Sequence, residues 1–156
     1  MSYSKTDLMP RCAAALIDGV IAWIPSLIPF IGFLLGGIYI LCKDSIMYQI
    51  TKDENWQNKS IGKKVLNLEV ANLDGGNIDL KLSAKRNIPL AIGTLIAVIP
   101  IIGWAIGAII GFILGVIELI LVLTDDNGRR LGDKFANTQV IEVAAVEKID
   151  NENFDL

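Results

Sequence analysis

The chain contains no histidine. That absence removes His-based catalytic triads, haem ligation through imidazole and most zinc sites. Its two cysteines, Cys12 and Cys42, form no C-x-x-C pair, so they are read as reduced and structural, and no metal site is expected. Basic residues are missing from two long stretches, Cys12–Cys42 and Asn87–Gly128, which hold none of the 14 Lys and Arg residues. Acidic residues barely enter them either: Asp18 and Glu118 stand alone until Asp125 and Asp126 close the second stretch. No nucleophile stands beside a base, so no enzyme and no cofactor are expected. D-G-G-N at 74–77 lacks the alternating ligands and terminal Glu of a calcium loop. G-K-K at 62–64 lacks the upstream glycine and following Ser or Thr of a phosphate loop. A net charge of -3 and a pI near 4.9 argue against nucleic acid as a partner.

What remains is apolar. Hydrophobic residues make up 53% of 156, and they are concentrated in those two stretches. A transmembrane helix needs about 20 apolar residues. Each stretch is too long for one ordinary span and short for two. Pro25 and Pro29 interrupt the first and Pro100 the second, as proline does by removing a hydrogen bond and crowding the preceding turn. The expected class is therefore an all-α membrane protein: four transmembrane helices as two helical hairpins, over about 8–25, 30–50, 83–99 and 103–124. The first stretch is too long for a signal-peptide core and has no small-residue cleavage site, so it is expected to stay as an anchor.

Charge favours hairpins over one span per stretch. Single spans would place Lys43, Lys52, Lys59, Lys63, Lys64, Lys81, Lys85 and Arg86 opposite the six basic residues of the termini. Hairpins put all 14 on one side, which the positive-inside rule makes cytoplasmic, with both termini. Trp23, Phe30 and Trp104 then form an outer aromatic belt, with Tyr48 and Trp56 near the inner face. Between the hairpins, V-L-N-L-E-V alternates, D-G-G-N turns and I-D-L returns, predicting a small cytoplasmic antiparallel β-hairpin over about 59–82. T-Q-V-I-E-V-A-A-V can add a third strand. Residues 1–146 read as one membrane domain and 147–156 as a disordered acidic tail.

P-F-I-G-F-L-L-G-G-I at 29–38 matches P-I-I-G-W-A-I-G-A-I at 100–109 at five of ten positions, which suggests an internal repeat. Gly103, Gly107, Gly111 and Gly115 form one stripe down the fourth helix, and Gly32 with Gly36 do so on the second. Small residues at this spacing let helix backbones approach. Three uses stay open: packing of the fourth helix on the second or first, homo-oligomerisation, or a glycine-lined pore.

Three motifs together resemble the RDD family of small bacterial membrane proteins, named for an arginine and two aspartates. They are R-C-A-A-A-L-I-D, with Arg11 and Asp18; S-I-G-K-K-V-L-N-L-E-V-A-N-L-D-G-G at 60–76, followed by Arg86; and R-L-G-D-K-F-A-N-T-Q-V-I at 130–141, with Asp133 and Thr138. The resemblance implies a bacterial inner membrane. For some members it implies monovalent cation/proton antiport, and for others an accessory role.

Asp18 lies about 10 Å deeper than Arg11 along one helix face, and Glu118 reaches a similar depth from Asp125. An intramembrane acid must be paired, hydrated or protonated. Asp18 and Glu118 could share a proton or bind Na or K ions. Alternatively, Asp18 pairs with Arg11, and Arg86 with Glu118 or Asp133, as a structural staple. Lys63 and Lys64 are expected to face lipid head groups or solvent. Expected partners are membrane lipids, protons, Na or K ions and a second copy of the chain.

Overall fold

A computed structural model describes residues 3–28 and 30–143. The expected tail at 147–156 lies outside the described residues. The helices are α1 (Leu8–Trp23), α2 (Ile31–Cys42), α3 (Ile46–Thr51), α4 (Ile61–Val65), α5 (Leu80–Ile96), α6 (Ile102–Thr124) and α7 (Leu131–Ala136); the strands are β1 (Leu68–Asn72) and β2 (Thr138–Glu142). The chain is thus mostly helical, with one two-stranded antiparallel sheet. At Pro25, which has no N–H to continue the α ladder, α1 gives way to a 3-10 turn over Ile24–Leu27.

Among the described residues two helices, not four, are long and apolar enough by themselves to cross a membrane: Leu8–Leu27 and Ile102–Thr124. At 1.5 Å per residue α2 reaches only about 18 Å, short of a hydrocarbon core about 30 Å thick. The helix expected over 30–50 breaks at 43–45. There Asp44 is fully buried by its turn toward charged partners from later in the chain, and the Ser45 N–H bonds to the Cys42 carbonyl.

The β-hairpin expected over 59–82 does not form. Residues 61–65 make α4, whose N-cap Ser60 accepts from the Lys63 N–H. The D-G-G-N turn is present, with Gly75 and Gly76 at φ +88° and +81°. It leads into a helix instead of a return strand, because the Asp79 carboxylate accepts from the Leu82 N–H and starts α5. The Ile78 N–H goes to Asn58 Oδ1. The partner of β1 is β2, with Val70 opposite Val140.

That pairing exposes a repeat longer than the one read from 29–38 and 100–109. Asp7 precedes α1 as Asp79 precedes α5. Phe30 (φ 66°, ψ -71°) and Ile101 (φ 63°, ψ -72°) hold the same γ-turn-like backbone at the start of α2 and α6. Ile61-Gly62 opens α4 as Leu131-Gly132 opens α7, and Asn67 and Asn137 follow them in left-handed backbone. Val70 and Val140, separated like Gly62 and Gly132 by 70 residues, face each other at the middle of the sheet.

The long helices pack in the order α1, α2, α5, α6. Among the described residues the flanks α1 and α6 barely touch, and a groove runs between them. Leu16 and Val20 of α1 and Ile109, Phe112 and Ile113 of α6 are exposed, an apolar surface suited to lipid rather than water.

Candidate functional site

At the polar end of the bundle, where helix ends meet the sheet, nine charged side chains are gathered. Arg86, wholly buried, is the centre. Its Nη1 donates to Asp44 Oδ2 at 2.9 Å, and its Nη2 and Nε donate to Asp133 Oδ1 at 2.5 and 3.2 Å. Asp44 Oδ1 accepts from Lys63 Nζ at 2.5 Å, and Asn87 Nδ2 adds a bond to Asp44 Oδ2 at 2.9 Å. Lys63–Asp44–Arg86–Asp133 is thus one chain of alternating charge. Asp133 also receives Arg130 Nε at 3.4 Å and Arg11 Nη2 at 3.5 Å, and closes the α7 cap with the Arg130 N–H. Arg11 further donates to the Gly128 carbonyl.

Burial would raise the Asp133 carboxyl, but Arg86, then Arg130 and Arg11, hold it down to about 2. Asp44 lies well below the carboxylate range against the same burial cost, because Lys63, Arg86 and Lys43 surround it. Burial pulls the Lys63 ammonium down to about 8, against the attraction of Asp44. Lys63, 7% exposed and paired with Asp44, therefore does not face solvent but turns into the fold. Lys64, the other half of that pair, stacks its Nζ 4.4 Å from the Trp56 ring centroid.

Asp18 does not pair with Arg11. Its Oδ2 accepts from Ser60 Oγ at 2.7 Å and faces Lys43 Nζ at 3.1 Å; its Oδ1 accepts from the Gly62 N–H at 2.9 Å and Tyr39 Oη at 3.3 Å. Both oxygens are occupied. Glu118 differs. It is 4% exposed, and its Oε1 accepts from the Gly132 N–H at 3.3 Å, while Oε2 has no hydrogen-bond partner among the described residues. Arg86 takes Asp133, one of its two expected partners, and not Glu118. Asp18 and Glu118 line one cavity of about 200 Å³ but direct their bonds elsewhere. Arg11, Lys43, Lys63, Arg86 and Arg130 line it too.

The glycine stripe meets α5, the helix before it, instead of the second or first helix. A Cβ on Gly107 would strike the Gly93 carbonyl oxygen, and one on Gly103 the carbonyl of Ile96. Gly111 sits beside Gly93, while Gly115 faces open space. Gly36 lies against the Ala22 carbonyl of α1, and Gly32 against the Pro25 carbonyl.

Lys43, Asp44, Ser60, Asn87 and Arg130 were not singled out as site residues. Lys43-Asp44 are the first charges after the first apolar stretch, and Asn87 follows Arg86, so position at a helix boundary was the available signal.

Long apolar helices, an exposed apolar surface and charges gathered at one end define a membrane protein. The chain belongs to the RDD family, whose model matches residues 5–137. No curated protein and no solved structure matches it.

Proposed function

We propose that this is a non-catalytic accessory or scaffold protein of a bacterial inner membrane. Its two hairpins embed all four long helices, and its charged end and both termini face the cytoplasm. In this reading the cluster fixes helix ends to the sheet. The observation that carries it is the saturation of Asp18: both oxygens are held, one of them by Lys43. A Na or K ion entering the cavity would meet five cationic side chains and two acids, Asp18 and Glu118, a field that repels it. The 14 basic residues outside the apolar stretches support the orientation. Labelling of Ser26→Cys from the outer face tests it; a cysteine that reacts only from the cytoplasmic face overturns it.

A second reading, monovalent cation/proton exchange, is favoured by one observation. Glu118 Oε2 is buried beside a cavity without a partner among the described residues, as suits a group that takes up and releases a proton. Inverted vesicles carrying a pH-sensitive dye decide between the two. The accessory reading expects no Na- or K-dependent dequenching above vesicles lacking the protein. A signal that disappears in Glu118→Gln at matched expression overturns it in favour of exchange.

A further inference from the structure

We infer that the groove between α1 and α6 holds one membrane lipid with a net anionic phosphate head group, its head at the charged end and an acyl chain along the groove. The inference rests on the accessory reading and names its ligand.

The shape comes first. The cavity of about 200 Å³ at the charged end is continued by one of about 540 Å³, and Leu90 of α5 lines both. α1 walls them from Arg11 to Trp23, a rise of about 18 Å, close to one leaflet of a hydrocarbon core about 30 Å thick. The deeper cavity carries no charge; Ala22, Phe33, Ala97 and Trp104 are among its walls. Because α1 and α6 barely touch, a chain can enter sideways from the bilayer.

The head-group end has the complementary chemistry. Arg11, Lys43, Lys63, Arg86 and Arg130 line the shallow cavity, and the carboxylates of the whole cluster are Asp18, Asp44, Asp133 and Glu118. Five cations against four acids leave one positive charge in excess when every group is ionised. A phosphodiester head group supplies one negative charge, and its oxygens accept charge-assisted hydrogen bonds. Glu118 fits the same ligand. Its Oε2 is buried with no partner among the described residues; protonated, it would raise the excess to two positive charges and offer a donor to a phosphate oxygen. The groove walls are also bare where a lipid would lie. A Cβ on Gly19 or on Gly115 would meet nothing within 4 Å.

The bare wall supplies the test. Gly115 lines the shallow cavity and its Cβ position is open, so Gly115→Leu should project its side chain into that space. The full chain, purified in mild detergent, is offered phosphatidylglycerol or phosphatidylcholine and weighed by native mass spectrometry. Wild type should retain one phosphatidylglycerol about tenfold more than phosphatidylcholine, because choline's positive charge offsets the phosphate charge that the excess cation attracts. Gly115→Leu should lose most of that retention with its unfolding temperature unchanged, and Glu118→Gln, which keeps a donor, should retain the lipid. Equal retention of the two lipids overturns the inference. So does a Gly115→Leu protein that is folded and binds as wild type, or one that loses only a dimer, which would make a second copy the occupant. No gradient is present, so the outcome is separate from the vesicle assay. Dequenching there with no lipid here removes both readings, and silence in both assays removes the lipid alone.

Discussion

In the first half of the chain Gly62 of α4 fits under the Ala14 carbonyl of α1; in the second, Gly132 of α7 fits under the Arg86 carbonyl of α5. A Cβ on either glycine would strike the oxygen. The two halves share this close approach, the hairpin turn and the Asn that ends the short helix. They differ in charge. Lys63 follows the first glycine and Asp133 the second, so equivalent sites of opposite sign sit at the two ends of the Lys63–Asp44–Arg86–Asp133 chain. Each half brings an acid to the N-terminus of its short helix, where free N–H groups favour a carboxylate. The first half's acid is Asp18 from α1, saturated; the second half's is Glu118 from α6, with one oxygen unpartnered among the described residues. A shared backbone plan thus carries one acid committed to structure and one with spare capacity. That difference, more than the depth of either acid, separates staple from site.

The contrast breaks most forcefully at Arg86, which joins the halves. Arg86→Met leaves Asp44 and Asp133 buried without their common partner and should cost about 3–5 kcal/mol, enough to abolish a cooperative unfolding transition in detergent, followed by tryptophan fluorescence. If Arg86→Met alone unfolds like wild type, the alternating chain is not what holds the halves together.

The two acids come next. Asp18→Asn strips Lys43 of its partner and should cost about 3 kcal/mol. Glu118→Gln removes no salt bridge and should stay within about 1 kcal/mol of wild type. Equal costs would erase the distinction between the halves. Asp133 gives a smaller effect with a defined pH window. Its folded carboxyl lies at about 2, below its ordinary 3.8. Its stabilisation, about 2 kcal/mol, is therefore complete above pH 3.8 and is lost as pH falls through 2. The unfolding temperature of wild type should drop across that window more than that of Asp133→Asn, which has no such group to protonate.

How far the sequence could be read follows from the range of each interaction. Local signals were legible where proline marks both hairpin turns and the absence of basic residues delimits the apolar stretches, whereas the capping acid Asp79 looked like part of the strand I-D-L. V-L-N-L-E-V was correctly read as containing a strand, since alternation is local. Its return strand was placed at I-D-L, which lay closer and looked alike, while T-Q-V-I-E, expected only as a third strand, is its partner across the repeat. The break at Asp44 was hidden for the same reason: its partners Lys63 and Arg86 come from two later helices. Depth along a helix singled out Asp18 and Glu118, both of which are buried, but it carried nothing about which would be saturated, since their donors come from α4 and α7.

The smallest effect tests whether the two halves of the glycine stripe differ as the groove requires. Gly107 lies against the backbone of α5, with the Gly93 carbonyl in the path of any Cβ, while Gly115 faces the groove and meets nothing within 4 Å. Gly107→Ala must push α6 away from α5 and should cost about 1–2 kcal/mol, as overpacking of a tight contact does. Gly115→Ala adds a methyl to empty space and removes the backbone freedom of glycine in a helix, so it should change stability by no more than about 1 kcal/mol, in the stabilising direction. Both are single methyl additions to one helix, eight residues apart on the same stripe, so helix propensity cancels between them and the difference reports packing alone. A Gly115→Ala protein as destabilised as Gly107→Ala would mean that α6 is covered along its whole length, and the groove would then be closed at the end where the charges lie.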